Sequence, residues 1–217
     1  MIFSEGLRLS RGERVAVVGC GGKTSLISCL AKENAGEKVL VAPTARMALR
    51  EISRRPGVTY LGHPSGEKLL AAPLEDIREE AGAFHLTLME ADGSDGLPLK
   101  GWAPHEPVVP PFTTLTVGVV SVKAVGLPVT GANVHRLALF LEQVGLETGG
   151  PVTEADVAKM IRKCLTGHGV GRQAVYINQA DTAEECLKAR CVAEHLRGFR
   201  GLILLGSLKE GKLWPAA

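Results

Sequence analysis

Aromatic residues are scarce: five Phe, two Trp and two Tyr make up 4% of the 217 residues. Stacking platforms for single-stranded nucleic acid need such rings at intervals, and too few are present to build one. An excess of charge of either sign is missing as well, since 25 basic residues face 23 acidic ones for a net charge of +2. Polyanion binding needs clustered Lys and Arg, whereas Arg54-Arg55 and Arg162-Lys163 are isolated pairs. No nucleic-acid partner is therefore expected. Long hydrophobic runs are also lacking. Val15–Val18 and Leu202–Leu205 fall far short of the roughly 20 residues that span a bilayer. Met1-Ile2-Phe3-Ser4-Glu5-Gly6 does not read as the charged start and apolar stretch of a secretory signal. The five cysteines are odd in number and have no framework spacing, which fits reduced thiols. These absences lead to the expectation of a cytoplasmic protein with no membrane partner.

What is present is ordinary globular composition, 45% hydrophobic and 22% charged. A chain of this length buries about 70% of its surface on folding, enough for a core without staples. No linker interrupts it, and residues 1–217 read as one domain. Short β-branched runs alternate with amphipathic stretches, the pattern of an α/β fold with a mostly parallel sheet and helices on both faces. Expected strands are Arg14–Gly19, Lys38–Ala42, Val58–Leu61, Phe84–Glu90, Thr114–Val122, Ala174–Ile177 and Gly201–Leu205. Expected helices are Lys23–Glu33, Thr44–Arg54, Leu74–Ala81, Val134–Val144, one from Thr153 to Gly167, and Thr182–Arg197. Between Asp92 and Pro111 the glycines and prolines forbid regular structure, and loops of that length inside compact domains are usually functional.

The sharpest motif is Gly19-Cys20-Gly21-Gly22-Lys23-Thr24-Ser25, placed between an apolar strand and a helix. Glycines there let backbone N–H groups approach phosphate, and the helix N-terminus adds unsatisfied donors. Lys23 would reach the β- and γ-phosphates, and the Thr24 hydroxyl would ligate Mg²⁺. The spacing is shorter than the usual G-x-x-x-x-G-K-[ST], because Val17 stands where its first glycine belongs. With this loop, the expected fold becomes a three-layer P-loop NTPase-like one.

Further along, Leu86-Thr87-Leu88-Met89-Glu90-Ala91-Asp92-Gly93 reads as an apolar strand ending in two carboxylates, Glu90 and Asp92, at the carboxyl end where parallel sheets bind ligands. Both are candidates to hold Mg²⁺ or to orient an attacking water. Thr44, after the second strand, would contact Mg²⁺ or γ-phosphate, or cap the next helix. Asn178-Gln179-Ala180-Asp181 resembles the N-K-x-D element with which GTPases read guanine, with Gln179 in place of the lysine. The same residues also serve as a polar turn before a helix. Gly206-Ser207-Leu208 would give a second base contact. His105 and Glu106 lie between Pro104 and Pro107 in the long loop, and Arg136 near a helix start is a candidate anion contact. Cys20, inside the loop and near a helix N-terminus, is expected to have a lowered thiol pKa.

The succession V-V-G-C-G-G-K-T-S, E-A-D-G-S-D-G-L-P-L-K, A-P-H-E-P-V-V-P, V-H-R and N-Q-A-D resembles the selenium-dependent hydroxylase accessory protein family, YqeC. The match runs from about Val17 to Asp181. The resemblance implies a cytoplasmic P-loop protein tied to maturation of molybdenum hydroxylases that need labile selenium. It implies phosphate binding by Gly19, Gly21, Gly22, Lys23 and Thr24, with Glu90 and Asp92 as the acidic strand end. Lys100, His105 and Glu106 fall in the family's characteristic loop. A threonine-rich stretch of the family appears here as Pro43-Thr44-Ala45, leaving mainly Thr44. The expected function is Mg²⁺-dependent binding of ATP or GTP with slow hydrolysis. Expected partners are the nucleotide and a molybdenum hydroxylase or its maturation factors. Two other functions fit the same loop: a small-molecule kinase, nucleotidyltransferase or ligase, and a nucleotide-regulated chaperone that does not hydrolyse.

Overall fold

The computed structural model describes residues 1–48 and 56–216. Helix α1 (Phe3–Gly6) precedes strand β1 (Glu13–Gly19), and helix α2 (Lys23–Glu33) leads to β2 (Val39–Val41). A three-stranded antiparallel sheet follows in pieces: β3 (Met47–Ala48), β5 (His63–Ser65) and β6 (Lys68–Leu70), with β4 (Val58–Tyr60) between. Next come α3 (Leu74–Ala81), β7 (Leu86–Glu90), β8 (Leu99–Lys100) and β9 (Leu115–Ser121). The chain ends with β10 (Val134–His135), α4 (Leu137–Val144), α5 (Glu154–His168), β11 (Arg172–Asn178), α6 (Ala183–His195), β12 (Leu202–Ser207) and β13 (Lys212–Pro215).

Eight strands form the main sheet in the order β13-β12-β11-β9-β1-β7-β2-β4. Every pair is parallel except β12 with β13. Side chains alternate between faces along each strand, so β1 sends Val15 and Val17 to one side and Ala16 and Val18 to the other. The first side packs on Leu26, Ile27 and Leu30 of α2. The second packs on Phe140 of α4, Ile161 and Leu165 of α5, and Ala189 and Val192 of α6. Both faces being covered explains why the strands read as near-continuous apolar runs.

The chain leaves β1 toward β2 and β4, returns to β7, and then crosses to β9 on the other side of β1. That reversal makes the carboxyl end of β1 a topological switch point, where open α/β sheets place ligands.

Three expectations are corrected. The helix expected over Thr44–Arg54 is not helical in its described part: residues 44–48 form bends and β3, which pairs Met47 with Leu69, and the rest lies outside the described residues. The helix expected from Val134 starts at Leu137, because Val134 and His135 pair as β10 with Leu99 and Lys100. The long loop is therefore not wholly irregular; β8 interrupts it.

That short pairing sets a tight contact. Gly101 donates its N–H to His135 O at 2.9 Å. A Cβ at Gly101 would strike Phe140 N and lie 2.7 Å from the Leu139 carbonyl carbon. Gly101→Ala should cost about 1–3 kcal/mol in urea unfolding, whereas Gly131→Ala, which meets nothing within 4 Å, should stay within about 0.5 kcal/mol. Equal effects of the two would contradict this packing.

Candidate functional site

The loop from Gly19 to Ser25 turns tightly against the ends of β9 and β11. Gly21 and Gly22 have φ of +85° and +127°, a region that side chains disfavour. A Cβ at Gly21 would lie 2.8 Å from Ser121 N, and one at Gly22 would strike Asn178 Nδ2. Leu26 N to Gly22 O opens the hydrogen-bond ladder of α2. No side chain caps this terminus and no acidic residue stands in its first turn. The contrast with α5 and α6 is sharp, since Thr153 with Asp156 and Thr182 with Glu185 form full capping boxes there. The start of α2 thus keeps the uncompensated positive dipole end that attracts an anion.

Lys23 is buried and donates to Gly19 O at 2.8 Å. Its Nζ lies 3.5 Å from Asp92 Oδ1 and 3.9 Å from Glu90 Oε1. Burial works to lower its pKa, but Asp92 and Glu90 outweigh it and hold the ammonium above its ordinary value. Thr24 Oγ1 donates to Glu90 Oε2 at 2.7 Å. The two carboxylates therefore flank Lys23, but they are not equivalent. Asp92 is wholly buried and accepts from Gly19 N, at 3.1 Å on each oxygen. It also accepts from Trp102 Nε1 at 2.6 Å and Lys100 Nζ at 3.1 Å. Glu90, not Asp92, lines the cavity in front of Thr24. This differs from the expectation of Asp92 as a metal ligand, because its oxygens are turned to protein donors.

Lys100 is fully buried, 5.4 Å from the Trp102 ring centroid, and donates to Gly93 O at 2.5 Å and Glu106 Oε2 at 3.1 Å. Arg136 completes the chain with a two-pronged contact to Glu106. Burial would raise the Glu106 pKa, but Arg136 and Lys100 hold it below the ordinary value. His135 is lowered by burial and by the neighbouring Arg136 and Lys100. His105 is exposed at the cavity rim. The site thus draws together Lys23, Thr24, Glu90, Asp92, Lys100, Glu106 and Arg136. Trp102 and Ser94, which lies 3.5 Å from Lys23 Nζ, belong to it without having been anticipated. Their only signal was position, inside the long loop beside Lys100 and Asp92.

Two cavities meet at the loop. One, of about 900 Å³, is lined by Gly21–Ser25, Glu90, Thr44, Glu106 and Arg136. The other, of about 610 Å³, lies beyond Gly22 and Ser25 against Asn178, Asp181 and Lys123. Asn178 Nδ2 donates to Gly21 O at 2.8 Å, so this side chain braces the loop. Asp181 accepts from Lys123 Nζ at 2.7 Å and Ser207 Oγ at 2.6 Å, and these bonds lower its pKa. Thr44 donates to Val108 O at 2.6 Å and caps no helix among the described residues. Its amide and that of Ala45 donate to Glu90 O. Cys20 reverses its expectation: burial pushes the thiol up to about 12, with Asp92 adding to it against the pull of Lys23. Its Sγ–H donates to Pro98 O at 3.0 Å.

Among the described residues, no group of three or more His, Cys, Asp and Glu is arranged to hold a metal ion. No helix among them is long and apolar enough to cross a membrane.

The model of the YqeC protein family matches residues 15–138. The chain belongs to the YqeC family. The YqeC match spans most of β1, the glycine loop, both acidic residues and the Lys100-Glu106-Arg136 chain, and ends before Asn178 and Asp181. A relative from Escherichia coli (strain K12), described as "Uncharacterized protein YqeC", is 28% identical over 172 residues, 68% of this chain and 67% of the relative.

The charged chain predicts an acid response. A carboxylate held below its ordinary value near 4.5 contributes stability that is complete above that value. The contribution is lost as pH falls through the depressed one. Glu106→Gln should lose about 2 kcal/mol at neutral pH, and wild type and variant should converge in acid. Urea unfolding across pH checks this; a difference that persists unchanged in acid would contradict it.

Proposed function

We propose that the chain is a Mg²⁺-dependent purine-nucleotide-binding protein with slow NTPase activity. The observation that carries this reading is the uncapped start of α2, with Lys23 and the Thr24–Glu90 pair beside it, at the switch point of a parallel sheet. Phosphate oxygens would meet the loop amides of Gly21–Ser25, and Lys23 would move from Gly19 O to neutralise their charge. Mg²⁺ favours one or two carboxylates plus phosphate oxygens over an all-protein cage. The hydroxyl of Thr24 and the carboxylate of Glu90 fit that donor set. The metal would supply neutralisation of charge on the transferred phosphoryl group.

Glu90 would orient the attacking water. Asp92, tied to Gly19 N, would hold the loop in shape rather than touch the metal. The second cavity would take the base, with Asp181 as its hydrogen-bond acceptor once Lys123 swings away; Lys123 is half-exposed and free to do so. A place in maturing a selenium-dependent molybdenum hydroxylase rests on what the family resemblance implies. A hydroxylase or its maturation factor would be the partner.

Calorimetric titration with ATP, GTP and their slowly hydrolysed analogues, with and without Mg²⁺, tests the reading. Wild type should bind in a Mg²⁺-dependent way, and Lys23→Ala should weaken binding by about 2–5 kcal/mol, roughly 30-fold or more. Asp181→Asn should alter the preference between the bases. Folded wild-type protein that binds neither nucleotide at millimolar concentration would overturn the proposal.

A further inference from the structure

The larger cavity extends well past the residues that a triphosphate and its metal would use. Ligand cavities generally run from roughly 300 to 1,000 Å³, so the spaces of about 900 and 610 Å³ on either side of Gly22 are each large enough for a ligand. The smaller one suffices for a base and sugar. The larger one is also lined by Arg46, Lys68 and Arg136, with His105 and His135. The carboxylates there are already engaged: Glu106 by Lys100 and Arg136, and Asp95 by Lys68 at 3.9 Å. Arg46 is exposed and has no carboxylate within ion-pair distance among the described residues.

Backbone conformation singles out the same wall. Four non-glycine residues have positive φ in the described chain: Arg8, Asp95, Arg136 and Gln179. Three of them, Asp95, Arg136 and Gln179, line this cavity. Such conformations cost about 1–3 kcal/mol each and persist where the surroundings enforce them. At Arg136 the enforcement is visible, because β10 pairs with β8 on one side and α4 begins on the other. Arg136 lines the cavity with its guanidinium held by both oxygens of Glu106 and partly exposed.

We propose that this wall is a subsite for a second, small ligand bearing an oxyanion, phosphate or carboxylate, held by Arg136 and Arg46 facing the nucleotide phosphates. The proposal deepens the nucleotide reading and rests on it for the place of the second ligand.

The test uses full-length protein loaded with a slowly hydrolysed nucleotide analogue and Mg²⁺, so that the glycine loop is occupied. Inorganic phosphate and acetate are then titrated separately, followed by calorimetry and, for phosphate, by ³¹P NMR. Saturable binding of one of them is expected, weakened about tenfold or more in Arg136→Gln and in Arg46→Gln. Arg46→Gln keeps the test valid if loss of the Glu106 partner unfolds the first variant. Preference for phosphate assigns a phosphate ester, and preference for acetate a carboxylate. Binding of neither by the loaded protein at roughly ten millimolar, or binding unchanged in both variants, would overturn the proposal. Lys23→Ala separates the two readings: phosphate binding that survives in it but fails in Arg46→Gln supports the subsite even if the nucleotide does not bind. Phosphate binding lost only in Lys23→Ala belongs to the glycine loop and counts against the subsite.

Discussion

Asp92 has no contact with solvent, and its charge must be matched inside the protein. An unpaired buried carboxylate costs far more than a fold of this size can spare. Gly19 N–H, the Trp102 indole N–H and the Lys100 ammonium do the matching, with Lys23 close by. One side chain thereby ties the end of β1 to the end of β7 and to the long loop between β7 and β9. Lys100 then needs its own partners, and Glu106 brings in Arg136. Lys23, Lys100 and Arg136 alternate with Glu90, Asp92 and Glu106, three cations with three carboxylates. Removing any one strips a neighbour of one of its counter-charges.

This constraint explains why a segment rich in glycine and proline is nevertheless ordered. Such a loop has little apolar surface to bury, so packing alone would not fix it. Leu99, Lys100 and Trp102 are buried, and the polar contacts of the last two pin the loop over the carboxyl ends of β1 and β7. The loop so held brings Arg136 and Arg46 to the same cavity that the glycine loop lines.

Much of this was legible in the sequence because it depends on local signals. The apolar runs of β1, β7 and β9 have no other stable home than a covered parallel sheet, and Gly21-Gly22-Lys23-Thr24 can hardly stand elsewhere than at a strand-to-helix turn. Leu74–Ala81 was legible from its helix-forming composition and from Gly82 after it. What escaped depends on distant partners. β8 and β10 are two residues each, and pairing across more than thirty positions leaves no periodic trace. Helix-forming composition at Thr44–Met47 lost to the pairing of Met47 with Leu69 and to the hold of Glu90 O on the amides of Thr44 and Ala45. The divergence between Glu90 and Asp92 was hidden for the same reason: two residues apart on a strand end, they differ by which donors the fold brings to them. At Cys20, proximity to a helix terminus was visible, but complete burial was not.

The central claim is that phosphates and their metal sit on the glycine loop. A crystal structure of the protein with a slowly hydrolysed purine nucleotide and Mn²⁺ in place of Mg²⁺ tests it most directly, since the manganese locates itself by anomalous scattering. The account predicts phosphate oxygens on the amides of Gly21 to Thr24 within reach of Lys23, and manganese beside Thr24 and Glu90 with Asp92 still bound to Gly19 N. Nucleotide density away from this loop, or manganese held by Asp92 with the Gly19 contact broken, would contradict it.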